Sequence, residues 1–328
     1  MNKILITGGA GYIGSHCVLE MLKRNFELVV FDNLSTGHAK TIEKLKTIGN
    51  FDFIKGDLKN KNEIDEVFKK HKIDAVIHFA AYSQVGESMK EPEKYYKNNV
   101  LGTKNLLDSM VENNVKKIVF SSTAATYGEP KYTPIDEKHP QEPINPYGET
   151  KLLIEKKMDE YDLAYSLKSI RLRYFNVVGS SKIVGEEHNP ETHLIPNILK
   201  ASKTNKTFYL FGDDYNTKDG TCIRDYIDVE DLIEAHLLAL DYLNKENKTD
   251  FFNLGTSSGY STKEVFDLCQ KVIKQNINIE VKPRREGDPA TLVAANKKAK
   301  EILDWQPKRN LEISISNAYN FLINHLAD

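Results

Sequence analysis

The chain has 328 residues, with 45 Lys and Arg against 47 Asp and Glu. That is long enough for one large or two modest domains with a real core, and too evenly charged to present the broad basic field that attracts nucleic acid. No apolar run approaches the ~18 residues of a membrane span, and the glycine-broken stretch over residues 4–10 argues against a signal peptide. Cys17, Cys222 and Cys269 are scattered and odd in number, forming neither a disulfide framework nor a metal spacing. The expectation is a cytoplasmic protein with no membrane or nucleic-acid partner.

The first elements carry the first chemistry. Lys3-Ile4-Leu5-Ile6-Thr7 predicts a strand, and Gly8-Gly9-Ala10-Gly11-Tyr12-Ile13-Gly14 follows it directly. An amphipathic stretch then runs to about Arg24, and Leu28-Val29-Val30-Phe31 forms a second apolar strand ending at Asp32. Strand, glycine loop, helix, strand and acid make one βαβ unit of the kind that binds a dinucleotide. The glycines let the backbone approach a pyrophosphate, and the helix N-terminus near Tyr12 offers N–H groups and a positive dipole end. Asp32, 18 residues after Gly14, suits a ribose hydroxyl and would repel a 2′-phosphate, which favours NAD over NADP.

The alternation continues through Phe51–Ile54, leading to Gly56-Asp57-Leu58, and a helix over about 60–70. Asp74–Phe79 is a strand ending in Ala80-Ala81, a helix covers about 92–112, and Lys117–Phe120 is a strand ending in Ser121-Ser122-Thr123. Repeated β-then-α units with continuous apolar strands predict an α/β fold, a parallel sheet covered on both faces. Ligands bind beyond the carboxyl ends of such strands, where Asp32, Asp57, Ala80 and Thr123 are expected to meet. Residues 127–146 hold five prolines and predict a loop over the site mouth.

Behind Pro146, itself acceptable at a helix start, comes Tyr147-Gly148-Glu149-Thr150-Lys151. Tyr147 and Lys151 project from one helix face. A phenol ionises near ~10, and an adjacent ammonium favours the phenolate. Such a pair can take a proton from a sugar hydroxyl where a hydride acceptor is at hand. Ser169–Phe175 is a further strand; beyond Asn176 the composition turns irregular and polar, predicting a smaller second lobe. Phe251–Gly255 reads as a strand, with helices at about 262–275, 296–303 and 311–326.

With these pieces in place the chain resembles the extended short-chain dehydrogenase/reductase family and, within it, the UDP-glucose 4-epimerases. The resemblance rests on residues 8–16, Asp32-Asn33-Leu34-Ser35, His78-Phe79-Ala80-Ala81, Val85-Gly86-Glu87-Ser88, residues 95–100 and residues 121–128. It continues through Tyr147 to Lys151, Arg173-Tyr174-Phe175-Asn176, residues 220–226 and Arg284-Arg285-Glu286-Gly287-Asp288. It implies a Rossmann-type doubly wound sheet in residues 1–176, with a return segment at about 225–256. A smaller α/β substrate-binding lobe would comprise 177–224 and 257–328.

The resemblance also implies roles. Tyr147 would remove the proton of the sugar 4-hydroxyl while hydride leaves C4 for NAD. Lys151 would depress the Tyr147 pKa and reach the nicotinamide ribose, and Thr123 would hydrogen-bond the 4-oxygen. The 4-keto sugar would turn over in the pocket and take hydride back on its other face. Gly8, Gly11, Tyr12, Ile13, Gly14, Asp32, Asn33, Leu34, Ser35, Thr36, Gly37, Asp57, Leu58, Phe79, Ala80, Ala81, Ser83, Asn98 and Phe175 would line the cofactor, together with Thr123, Tyr147 and Lys151. Asn176, His193, Leu194, Phe211, Arg224, Arg285, Asp288 and Leu292 would hold the UDP-sugar, joined at its sugar by Thr123 and Tyr147. Two arginines suit a diphosphate, Phe211 suits uracil and Asp288 a ribose hydroxyl. A homodimer through the helices near 92–112 and 147–163 is implied as well.

Three positions depart from the commonest epimerase pattern. Thr123 replaces a frequent Ser, Ser83 a Lys of some members, and Leu292 is intermediate in size at the position that governs tolerance of N-acetylated sugars. No metal is expected: His188 and His193, among Glu186, Glu187 and Glu191, match no zinc pattern, and residues 214–220 fail as a calcium loop. Two other readings are a nucleotide-sugar dehydratase or decarboxylase and a non-catalytic NAD sensor. Dehydration needs acids after Thr123, where Ala124-Ala125 stand; a sensor need not keep all three reactive groups.

Overall fold

The computed structural model describes residues 3–285 and 288–325. They form two compact units, one made of the chain up to Gly128, Pro140–Arg173 and Ile233–Phe252, the other of Glu129–His139, Tyr174–Leu232 and the chain from Asn253 on.

The first unit is built on a seven-stranded sheet in the order Asp250–Leu254, Lys168–Tyr174, Lys117–Thr123, Ala75–His78, Lys3–Thr7, Glu27–Asp32 and Asp52–Lys55. From Lys117–Thr123 to Asp52–Lys55 each neighbouring pair is parallel. The strand order reverses beside Lys3–Thr7, so the carboxyl ends of that strand and of Ala75–His78 flank a topological switch point. Leu5, Val29, Phe31, Val76, Ile118 and Phe120 pack against Ile64, Val67, Leu106, Leu107, Met110, Ile154 and Met158 from helices. These strands read as unbroken apolar runs because helices cover them.

The helix over 92–112 comes in three parts: Pro92–Tyr95, a π turn at Tyr96–Leu101, and Gly102–Glu112. The next helix, Pro146–Tyr165, begins with Pro at its first turn and with Asn145 as cap, whose Oδ1 accepts from the Gly148 N–H at 2.9 Å.

In the second unit Ile223–Asp228 pairs with Asn176–Val178, Gly259–Ser261 and Thr291–Leu292, and a separate parallel pair joins Phe208–Phe211 to Ile279–Lys282. Helices Leu194–Thr204, Thr262–Ile273 and Leu311–His325 supply Ile198, Leu199, Val265, Phe266, Cys269 and Ile315 to its core.

The boundaries differ from those expected. Ile223–Asp228 is hydrogen-bonded inside the second unit, so the return to the first starts at Ile233, not about 225. The proline-rich loop also divides. Residues 129–139 join the second unit, where the Ile135 N–H donates to the Val293 carbonyl at 2.8 Å and its carbonyl accepts from Asn253 Nδ2 at 2.9 Å. Among the described residues no helix is long and apolar enough to cross a membrane.

Candidate active site

In the first unit the glycine loop is shaped by close backbone approaches. Gly8 has φ +77°, and a Cβ there would lie 2.5 Å from the Ala80 backbone nitrogen. At Gly14 a Cβ would sit 2.1 Å from the Gly8 carbonyl oxygen. Gly11 differs: its nearest neighbour would be the Gly8 oxygen at an ordinary 3.5 Å, so its missing side chain opens space that the protein itself does not fill. Gly11 also caps helix Tyr12–Lys23 without a side chain to serve the first-turn N–H groups. An uncapped helix start with an open cradle before it fits a dinucleotide pyrophosphate.

Asp32 ends its strand nearly buried, its Oδ2 accepting from the Ala10 N–H at 3.0 Å and its Oδ1 from the Leu34 N–H at 2.8 Å. Burial raises its pKa against those bonds. Each oxygen keeps a second lone pair for a ribose hydroxyl. Asn33 reaches Asp57 (Nδ2 to Oδ2, 3.1 Å) and its Oδ1 accepts from Ser35 N–H. Leu34 turns through a left-handed φ of 60°, Ser35 and Thr36 are exposed, and Gly37 packs against Ala10. Leu58 is buried, Ala80 and Ala81 are half-buried, and the Phe79 ring lies 4.8 Å from that of His236. Asn98 donates to Asn99 Oδ1 at 3.1 Å, and Ser83 is exposed. Phe175 falls in the second unit.

Thr123, Tyr147 and Lys151 come together. The Thr123 hydroxyl hydrogen-bonds the Tyr147 phenol, and Lys151, 2 % exposed, donates from Nζ to the Ser121 carbonyl at 2.7 Å. Its Nζ lies 4.7 Å from the Phe120 ring centroid and 6.0 Å from that of Tyr147. Burial pulls the Lys151 pKa down to about 7, against the pull of Glu155. Burial pushes Tyr147 up to about 12, and the influence that lowers it is the Thr123 hydrogen bond. The expected effect of Lys151 on the phenol is therefore not the governing one in this arrangement. Its ammonium is drawn to a carbonyl, and both groups sit in apolar surroundings.

Several supports lie outside the predicted site residues. Asn99, in the π turn, accepts from the Tyr82 N–H at 2.8 Å and donates to Thr150 Oγ1 at 3.2 Å. His78 bridges Thr7 Oγ1 at 2.6 Å and Thr103 Oγ1 at 2.8 Å, with burial holding its pKa down at about 3. Glu155 was legible as the next i+4 position after Lys151; the π turn has no comparable residue signature.

Apart from Thr123 and Tyr147, the residues assigned to the UDP-sugar lie in the second unit. Asn176, Arg224 and Leu292 share one sheet, with Leu292 paired to Arg224 and Asn176 to Tyr226. Arg224 donates from Nη2 to Asp288 Oδ1 at 3.2 Å, and from Nη1 to the Ile223 and Pro289 carbonyls at 2.9 and 2.8 Å. The Arg285 guanidinium covers the Phe211 ring at 4.1 Å from its centroid. That stack occupies a ring face expected to meet uracil. His193 caps helix Leu194–Thr204. Its Nδ1 pairs with Glu191 Oε1 at 2.7 Å, and the neighbouring carboxylates raise its pKa. Glu186, His188 and His193 do gather, with possible ligand atoms within 4.8 Å of one another. Each imidazole faces a carboxylate, His188 Nδ1 lying 2.5 Å from Glu186 Oε1.

A family model described as GDP-mannose 4,6 dehydratase matches residues 5–317. A UDP-glucose 4-epimerase of Halalkalibacterium halodurans is 50 % identical, the match covering 98 % of this chain and 96 % of the relative. The solved UDP-glucose 4-epimerase of Bifidobacterium longum, in complex with NAD+ and UDP, superposes with a TM-score of 0.95 at 36 % identity, over 99 % of both chains. The UDP-Glc/GlcNAc 4-epimerase of Campylobacter jejuni does so at 0.87 and 42 %, over 99 % of this chain and 100 % of that one.

Proposed function

We propose NAD-dependent 4-epimerisation of UDP-hexoses, from the premise that the chain belongs to the UDP-glucose 4-epimerase family of extended short-chain dehydrogenases/reductases. The observation that carries the reading is the meeting of Tyr147, Thr123 and Lys151 on a unit whose glycine loop fits a dinucleotide.

Gly8, Gly11, Gly14, Asp32, Asn33 and Asp57 would hold the cofactor. NAD held there would supply a reversible hydride acceptor for C4. Tyr147 Oη takes the 4-hydroxyl proton and returns it to the opposite epimer. Thr123 shares that proton by its hydrogen bond to the phenol, and the Lys151 ammonium stabilises the phenolate charge. The sugar is oxidised and then reduced, so each turnover balances without an external oxidant. Arg224 and Arg285 take the diphosphate, Phe211 the base, Asp288 a ribose hydroxyl, and Asn176, His193, Leu194 and Leu292 the remaining contacts. These roles are the family's, carried over position by position.

The description of the matching family model gives the dehydratase reading its weight. Ala124 and Ala125, in the 3₁₀ turn after Thr123, have no proton to transfer to a leaving 6-hydroxyl, which favours epimerisation. We assign the protein a cytoplasmic setting, supported by three free thiols.

The test is to purify the protein without added cofactor, incubate it separately with UDP-galactose and UDP-N-acetylgalactosamine, and resolve the epimers by chromatography. Conversion of UDP-galactose supports the proposal, and conversion of the acetamido sugar would show that Leu292 leaves room for it. Tyr147→Phe is expected to keep NAD and bind UDP-sugar while losing turnover by roughly 10²–10⁴-fold. No conversion by the wild-type protein, or near-normal conversion by the variant, overturns the assignment.

A further inference from the structure

Tyr147, Lys151 and Glu155 stand four residues apart on helix Pro146–Tyr165, so the three side chains share one face. Glu155 has no part in the chemistry above, yet it is only 2 % exposed. A carboxylate buried to that degree persists when its oxygens are satisfied and its charge is paired. The Ser122 hydroxyl donates to Oε1 at 2.5 Å, and Arg173 Nε donates to Oε1 at 2.9 Å and Oε2 at 3.2 Å, with Nη2 completing the fork. Arg173 is itself fixed, donating to the Tyr127 hydroxyl at 2.9 Å and lying over the Phe251 ring. Ser122 follows Ser121, whose carbonyl holds Lys151. Two adjacent rungs, Lys151 on Ser121 and Glu155 on Ser122, therefore join the helix to strand Lys117–Thr123, at whose end Thr123 meets Tyr147.

We propose that Glu155 is an electrostatic positioning residue: its charge keeps the buried Lys151 ammonium protonated, and its bond to Ser122 holds the register in which Tyr147 meets Thr123. The role rests on the reading that Tyr147 and Lys151 serve the sugar hydroxyl. The groups that bear on Lys151 can be named element by element. Tyr147 and Glu155 come from its own helix. His78, on strand Ala75–His78, is held neutral between Thr7 and Thr103. Arg173 and Arg171, on strand Lys168–Tyr174, are bound to the Glu155 carboxylate and backbone carbonyl respectively. Among these Glu155 is the anion, and it is the influence that resists the fall of the Lys151 pKa on burial. Neutralising it removes that support and leaves Arg173 as an unopposed cation.

The experiment titrates full-length protein carrying ¹³C-labelled lysine, with the Lys151 resonance assigned by its loss in Lys151→Met. In Glu155→Gln the Lys151 midpoint is expected to fall by about one pH unit or more. The double variant Glu155→Gln/Arg173→Gln removes both members of the buried Glu155–Arg173 pair, so Arg173 is not left as an unopposed cation, and it serves where the single variant does not fold. Its midpoint is expected between wild type and Glu155→Gln. An unchanged Lys151 midpoint in either folded variant overturns the proposal. The alkaline limb of kcat for UDP-galactose should move by the same amount and in the same direction. If wild-type protein turns over no UDP-hexose while the midpoint still moves, the reaction assignment fails and the Glu155–Lys151 coupling stands.

Discussion

Lys151 is held at an energetic cost, and the sign of that cost makes it measurable. Its folded pKa, about 7, lies below the ordinary 10.5. Below about 7 the group is charged in both states and the full burial penalty opposes folding. Between about 7 and 10.5 the unfolded chain keeps a proton that the folded chain has released, so this group's contribution to stability rises with pH. In protein freed of cofactor, Lys151→Met is therefore expected to be no less stable than wild type at about pH 6, with its relative advantage shrinking towards about pH 10. Urea unfolding at the two pH values checks this, and an advantage that grows with pH contradicts it. The Tyr–Lys spacing was legible in the sequence as a shared helix face. The direction in which each pKa moves was not, because it depends on how deeply neighbours such as Phe120 bury the pair.

The glycine loop and its helix separate two uses of glycine within one element. A Cβ at Gly14 would collide with the Gly8 carbonyl oxygen at 2.1 Å, whereas one at Gly11 would meet it at 3.5 Å. Gly14→Ala is thus expected to lose roughly 1–3 kcal/mol of stability through forced backbone shifts. Gly11→Ala should keep its fold and lose bound NAD. Thermal unfolding and the nicotinamide content of the purified proteins distinguish the two, and equal stability losses would contradict the reading. Alternation of apolar strands with helices was enough to find the strands from Lys3–Thr7 to Lys168–Tyr174, and Pro146 announced its helix. The parallel pairing of Phe208–Phe211 with Ile279–Lys282 was not legible. Neither run is long, and their partnership is set by tertiary packing across some seventy intervening residues.

At the scale of the molecule, the division into a dinucleotide unit and a smaller unit could be read from where apolar runs gave way to polar sequence. The exact seams could not, since residues 129–139 are assigned by hydrogen bonds to partners far along the chain, Val293 and Asn253. We propose a homodimer through helices 92–112 and 146–165, supported by exposed Leu101, Leu153 and Leu163 and by an apolar hollow lined by Tyr96, Val100, Leu101 and Ile154. Light scattering should give twice the chain mass of 37.4 kDa; a monomeric mass removes the proposal. In the proposed reaction hydride leaves C4 of the sugar and comes back to it. The most direct measurement of that return uses UDP-galactose deuterated at C4, with mass spectrometry and NMR of the UDP-glucose formed in ordinary water. The product is expected to keep its deuterium at C4. Washout of the label into solvent would mean that C4 loses a proton, not a hydride, and would contradict the proposed reaction.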